Sequence, residues 1–146
     1  MALLVDAGAL YAQADADEPR HAGVAEVLRA ERETLVTSEL AVAEADYLIL
    51  DRLGLDVELA FIDDLVAGTF QVECLTRDEL RTARDLVEQY RDLRIGLADA
   101  SLVVLAGRFG STRILTFDER AFRTVTPLNG GSFTILPADS FADAER

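Results

Sequence analysis

Not one lysine occurs among the 146 residues, and histidine, cysteine and methionine occur once each. Without lysine there can be no G-x-x-x-x-G-K-[ST] phosphate loop, which removes the P-loop NTPases. A receiver-like signalling module, which needs a lysine beside its phosphoacceptor aspartate, is removed with them. The single histidine, His21, stands in "DEPRHAGV" at a helix entrance and reads as a surface residue, so histidine-dependent triads and zinc hydrolases lose their central part. The single cysteine, Cys74, cannot form an internal disulfide, and its apolar, strand-like setting "FQVECL" predicts a core thiol. No apolar run approaches the roughly 18 residues of a membrane span, and no basic flank precedes the apolar N-terminal stretch. The expected location is the cytoplasm, with no membrane partner. Positive charge is scarce as well: the net charge is −13 and all 14 basic residues are arginine. Such a chain is a poor non-specific binder of nucleic acid, because basic side chains supply that affinity. Acids gathered around a divalent cation can still bind phosphate through the metal, with local arginines assisting.

Half of the residues are hydrophobic, which suits a well-cored globule of one domain, expected over 1–137 with an acidic, loosely ordered tail over 138–146. Five β-like runs, at 2–6, 34–38, 70–75, 113–117 and 132–137, are separated by helical patterns at about 20–32, 39–53, 55–67, 77–90 and 97–108. Gly54, Gly68 and Gly110 stand where helices should stop, and "TRDEL" predicts a capping box between Thr76 and Glu79. Strands alternating with helices predict a mostly parallel five-stranded sheet with helices on both faces, an α/β three-layer sandwich. In such a sheet, ligands bind beyond the carboxyl ends of the strands.

Four acids fall where that rule directs attention. Asp6 closes the first strand in "LLVDAGAL", and Asp118 follows another in "RILTFDER". Asp99 lies in the first turn of "LADASLVVLAGR", a helix apolar nearly all round, with Leu102, Val103 and Ala106 as its helical neighbours. Glu44 lies in "TSELAVAEADYLIL" with Ala41 and Leu48 at i−3 and i+4, a stripe that predicts an inward-facing carboxylate. Each acid has a plainer role open to it: a helix cap for Asp6, dipole compensation for Asp99, a solvated face for Glu44, a turn for Asp118. Taken together they form a set of carboxylates that resists joint ionisation unless a cation joins it. Oxygen donors without matching histidine or cysteine favour Mg²⁺ or Mn²⁺ over zinc.

This ordered set resembles the PIN-domain proteins, specifically the VapC-type toxin ribonucleases of bacterial toxin–antitoxin pairs. The resemblance runs from about residue 2 to 137 and rests on Asp6, "SELAVAEADYLI" with Glu44, "RIGLADASLVVLA" with Asp99, "ILTFDERAF" with Asp118, and the closing "PLNGGSFTILP". It implies a PIN-like fold, a metal-dependent endoribonuclease acting on structured RNA such as tRNA or rRNA, a homodimer and a cognate antitoxin. In that reading Asp6, Glu44, Asp99 and Asp118 hold Mg²⁺ or Mn²⁺ and activate water. Asp92, Ser101 and Thr116 are possible auxiliary residues, and Arg20, Arg94, Arg120 and Arg123 are expected to grip RNA. The family often carries a hydroxyl within two positions of the first aspartate, where this chain has Ala7 and Gly8. Two other readings stay open: a catalytically silent antitoxin-like or RNA-binding module of the same fold, and an aspartyl-phosphate phosphatase. The second is weakened by Gly8, which stands where a second aspartate belongs.

Overall fold

Leu3, Leu4 and Val5 form β1 (Leu3–Val5), and none of the three has any exposed surface. Successive residues of a strand point to opposite faces, so a strand buried at every position must be covered on both. The computed structural model, which describes residues 1–140, shows that arrangement. Four more strands join β1: β2 (Leu35–Ser38), β3 (Gln71–Glu73), β4 (Arg113–Leu115) and β5 (Thr134–Leu136). Their order is β3-β2-β1-β4-β5, and every neighbouring pair is parallel. Leu3 is in register with Leu35 on one side and with Arg113 on the other.

Seven α-helices pack around the sheet among the described residues: α1 (Ala7–Ala14), α2 (His21–Ala30), α3 (Glu39–Leu53), α4 (Leu55–Val66), α5 (Arg77–Gln89), α6 (Leu97–Arg108) and α7 (Glu119–Thr124). A 3₁₀ turn, Arg91–Leu93, leads into α6. The α3, α4, α5 and α6 boundaries fall within one residue of those expected, because each carries an amphipathic or apolar repeat and a stop signal. Gly54 ends α3 at φ 90°, a left-handed conformation open to glycine at little cost. The capping box at α5 is present in both directions, with Glu79 N–H donating to Thr76 Oγ1 at 3.1 Å and Thr76 N–H to Glu79 Oε1 at 3.0 Å.

Other expectations need correction. The strands are shorter than their apolar runs by up to three residues, because the runs continue into turns that bury side chains without pairing backbone. Helix α7 and the 3₁₀ turn were not anticipated, and α1 entered only as the helix that Asp6 could cap: α1 is apolar on most sides and α7 spans only six residues, so neither shows a clear period. Cys74 is exposed rather than a core thiol, since β3 is an edge strand that ends one residue before it. His21 is half-buried, with Nδ1 2.7 Å from Ala12 O, and ties the start of α2 to α1. The acidic stretch expected as a tail begins inside the fold: Asp139 accepts the Ile135 N–H at 2.7 Å and pairs with Arg123 at 2.6 Å. Residues 141–146 lie outside the described residues. No helix among the described residues is long and apolar enough to cross a membrane.

The winding fixes where ligands can reach the backbone. From β1 the chain moves outward through β2 to β3, then returns to the far side of β1 to lay down β4 and β5. The crevice at the carboxyl ends of β1 and β4 is thus the switch point of the sheet.

Candidate active site

Asp6 directly follows β1 at this crevice and is 7% exposed. Its N–H donates to Leu115 O at 3.0 Å, continuing the β1–β4 ladder by one residue. The side chain is held at both oxygens: Oδ1 accepts the Ala7 N–H at 2.7 Å, and Oδ2 accepts the Thr116 hydroxyl at 2.6 Å. Asp6 therefore does cap α1, and it remains at the crevice while doing so. The hydroxyl missing from positions 7 and 8 is supplied by Thr116, 110 residues further on. Thr116 Oγ1 also accepts the Asp118 N–H at 3.0 Å, so one hydroxyl fixes Asp6 and the backbone of Asp118 together. Asp118 in turn caps α7 by accepting the Ala121 N–H at 3.1 Å.

Asp99 enters from α6, third residue of the helix and half-buried. Its carboxyl is close enough to Asp6 for the two charges to act on each other. Burial first, then the charges of Asp6, Asp118 and Glu44, push its pKa up to about 7. Burial also raises Asp6, against the lowering hydrogen bonds from Thr116 and Ala7. Glu44 lies on α3 and is raised by partial burial and by the charge of Asp6. Its side chain is nevertheless exposed, which corrects the inward-facing carboxylate expected from its neighbours. Ala41 is buried and Leu48 half-buried, but the buried stripe of α3 is Ala41, Ala45 and Ile49, and Glu44 stands one residue before its middle member.

The relative placement of α3 and α6 depends on a residue that sequence reasoning missed. Ser38, the last residue of β2, caps α3 by accepting the Ala41 N–H at 3.0 Å. The fully buried Ser101 of α6 lies 2.7 Å from Ser38 Oγ and 2.5 Å from Ala98 O. This serine pair clamps the helix of Glu44 to the helix of Asp99. The available signal was a serine immediately before a helical repeat, a common N-cap.

Four carboxylates thus reach one crevice from four separate segments, and none forms an ion pair with a basic side chain among the described residues. As placed, no three acidic, histidine or cysteine side chains among the described residues converge on one ligating point. The charges of Asp6, Asp118 and Glu44 all act on Asp99, that of Asp6 most strongly. Mutual repulsion spreads uncompensated carboxylates in this way. Joint coordination by three would require side-chain rotation, for which the exposed Glu44 is the freest. The donor chemistry, all oxygen and all lacking a cationic neighbour, fits a hard divalent ion.

The remaining candidates differ in placement. Asp92 is exposed on the 3₁₀ turn and forms no hydrogen bond among the described residues. Arg20 stacks over the Phe117 ring at 4.2 Å while bonding Glu18 at 2.9 Å, and Phe117 lies between Thr116 and Asp118, so Arg20 is brought to the rim. Arg120, two residues past Asp118, donates to Leu93 O at 2.9 Å. Arg123 is occupied by Asp139 and Glu119, which makes it the weakest of the expected RNA contacts. Arg94 caps the 3₁₀ turn.

A parallel sheet of this order with an acid-lined crevice at its switch point defines the class: the PIN domain profile matches residues 3–126, and the chain belongs to the PIN-domain family, within its VapC-type group. It is 42% identical over 135 residues to Ribonuclease VapC26 of Mycobacterium tuberculosis, covering 92% of this chain and 100% of that protein. Among solved structures it superposes on VapC20 of Mycobacterium tuberculosis, a sarcin–ricin loop cleaving toxin, with a TM-score of 0.75 at 19% identity over 80% of this chain and 90% of that one. It also matches VapBC2 of Rickettsia felis, solved bound to a promoter DNA fragment, with a TM-score of 0.63 at 13% identity over 92% and 97% of the two chains. At such identities these two superpositions establish the fold.

Proposed function

We propose that the chain is the toxin of a bacterial toxin–antitoxin pair, a Mg²⁺- or Mn²⁺-dependent endoribonuclease that hydrolyses phosphodiesters of structured RNA such as tRNA or rRNA. The observation that supports this reading is that the charges of Asp6, Glu44 and Asp118 all act on Asp99 beside the switch point, while none of the four acids pairs with a basic side chain among the described residues. The similarity to a VapC ribonuclease supports it. Location in the cytoplasm, homodimerisation and a cognate antitoxin belong to the same proposal, the last supported by the likeness in fold to toxin–antitoxin complexes.

Asp6, Asp99 and Asp118, with Glu44 from the rim, would hold the ion. A divalent cation bound there lowers the pKa of water and offsets charge developing on the phosphoryl oxygens. The chain's own groups prepare the site. Thr116 and the Ala7 N–H fix both Asp6 oxygens, so the most buried carboxylate needs no reorganisation. Burial raises the pKa of both Asp6 and Asp99, and a divalent cation held there would favour their ionised forms. The serine clamp keeps Glu44 and Asp99 on opposite walls of one crevice. An antitoxin that placed an arginine or lysine among these acids would silence the site by supplying the missing positive charge.

The test uses protein purified free of any partner and incubated with total RNA in Mg²⁺, Mn²⁺ or EDTA. Discrete cuts that need the metal and disappear in Asp99→Asn are expected. Cutting that survives both EDTA and that substitution would sink the reading.

A further inference from the structure

Positive charge is scarce in so acidic a chain, and one groove gathers three arginines. Arg84, Arg91 and Arg94 line a groove of about 460 Å³ between the end of α5 and the 3₁₀ turn, with Val87, Glu88 and Ile95. Three guanidinium groups share two carboxylates, Glu88 in the groove and Asp85, 3.0 Å from Arg84, in a molecule whose net charge is −13. Glu88 is bonded by Arg84 and lies 3.9 Å from Arg91, in solvent-exposed pairs of the kind that contribute little and exchange readily. Arg94 forms no ion pair among the described residues.

The backbone at Arg94 gives an independent reason to single it out. It is the one non-glycine residue at positive φ among the described residues, with φ 52° and ψ 42°. Where the chain turns left-handed elsewhere, at Gly54, Gly68, Gly110, Gly130 and Gly131, it uses glycine. A side chain in that conformation is strained, and such strain is retained where the side chain has a task. The segment that lines the groove leads directly into the helix that carries Asp99. Arg94 lies five residues before Asp99, and Arg120, just beyond Asp118, holds the turn by bonding Leu93 O at 2.9 Å.

We infer that this groove is a track for the RNA backbone leading to the acid crevice, in which Arg84, Arg91 and Arg94 bind successive phosphates. The inference rests on the ribonuclease reading and assigns its substrate grip to the α5 end and the 3₁₀ turn. The planar guanidinium suits bidentate phosphate contact and can stack on an unpaired base.

The experiment measures binding of fluorescein-labelled bulk bacterial tRNA to the full chain carrying Asp99→Asn, across a salt series. Arg91→Ala and Arg94→Gly should each weaken binding roughly 3- to 10-fold, and the pair should flatten the slope of log Kd against log salt by about 1.5–2. Arg94→Lys should keep most of the affinity. Arg94→Gly should also raise the melting temperature by removing strain, which separates lost binding from lost folding. Arg32→Ala, ahead of β2 at the amino ends of the strands, makes the same change in total charge and should leave binding intact. On a parent background with Asp99 restored, Arg91→Ala should raise KM for long RNA by more than it lowers kcat. Binding unaffected by the groove substitutions, or weakened equally by Arg32→Ala, would overturn the inference while leaving the nuclease reading in place. A parent protein that neither binds nor cuts RNA would instead bring down the nuclease reading itself.

Discussion

At the scale of single residues, Thr116 carries more of the site than its place between a strand and a turn suggests. Its one hydroxyl donates to Asp6 and accepts from the Asp118 backbone, so removing it frees one carboxylate and strands one N–H. Thr116→Val preserves shape and buried volume while deleting both bonds. We expect a loss of about 10- to 100-fold in RNA cleavage, typical of removing the group that orients a ligand. A stability cost of about 1–3 kcal/mol should accompany it. Cleavage assays and urea melts on the same preparation check both, and cleavage at the parent rate would refute the orienting role. Thr116 was visible in the sequence only as a hydroxyl near an acid. Its partner is 110 residues away, a distance no local pattern spans. Glu44 and Cys74 were misread for a related reason: periodicity tells which face of an element is apolar, not whether a neighbouring element covers it.

Among the elements, the α5–α6 pair is fastened at one point. Arg108, at the end of α6, donates to both oxygens of Glu79 at 2.6 and 3.0 Å, to Glu73 at 2.9 Å and to Cys74 O at 2.7 Å. It thereby joins α6, the capping box of α5 and the edge strand β3. The Arg108 guanidinium, with the Thr76 N–H, holds the Glu79 pKa down to about 2 from 4.5. A depressed carboxylate contributes stability above its unfolded pKa and loses it as pH falls. Arg108→Met should therefore cost about 1–2 kcal/mol at pH 7. The gap from the parent should close between pH 4.5 and about 2 as Glu79 protonates in both proteins. Denaturant melts at pH 7 and 2.5 measure this, and a gap that persists at the lower pH would count against the ion pair. The capping box was legible as "TRDEL", a local motif with a local mechanism. The Arg108 clamp was not, since its three acceptors are more than 28 positions away in sequence.

For the whole molecule, the acid crevice opposes folding while the core favours it. Asp99, raised to about 7 from 3.8, binds its proton more tightly in the folded chain than in the unfolded one. Its contribution to stability is therefore fully present below about pH 3.8 and is lost as pH rises through about 7. Asp99→Asn should stabilise the protein at pH 8 by about 1–2 kcal/mol, allowing for the solvent-facing side of the carboxyl, and change little at pH 4. Added Mg²⁺ should raise the melting temperature of the parent more than that of the variant. Thermal melts at the two pH values, with and without Mg²⁺, test this; an equal response of the two proteins to the ion would argue that Asp99 is not a ligand. The sheet itself was readable in outline from five apolar runs separated by helical repeats. The order of its strands was not, because pairing depends on contacts between segments as distant as β1 and β4.

That separation has a consequence for the moment at which the site can take shape. Asp6 is synthesised 110 residues before the hydroxyl that orients it, and the acid that accompanies it arrives only with residue 118. During synthesis, therefore, the first carboxylate stays unoriented until the chain has been extended past β4 and the turn that follows it.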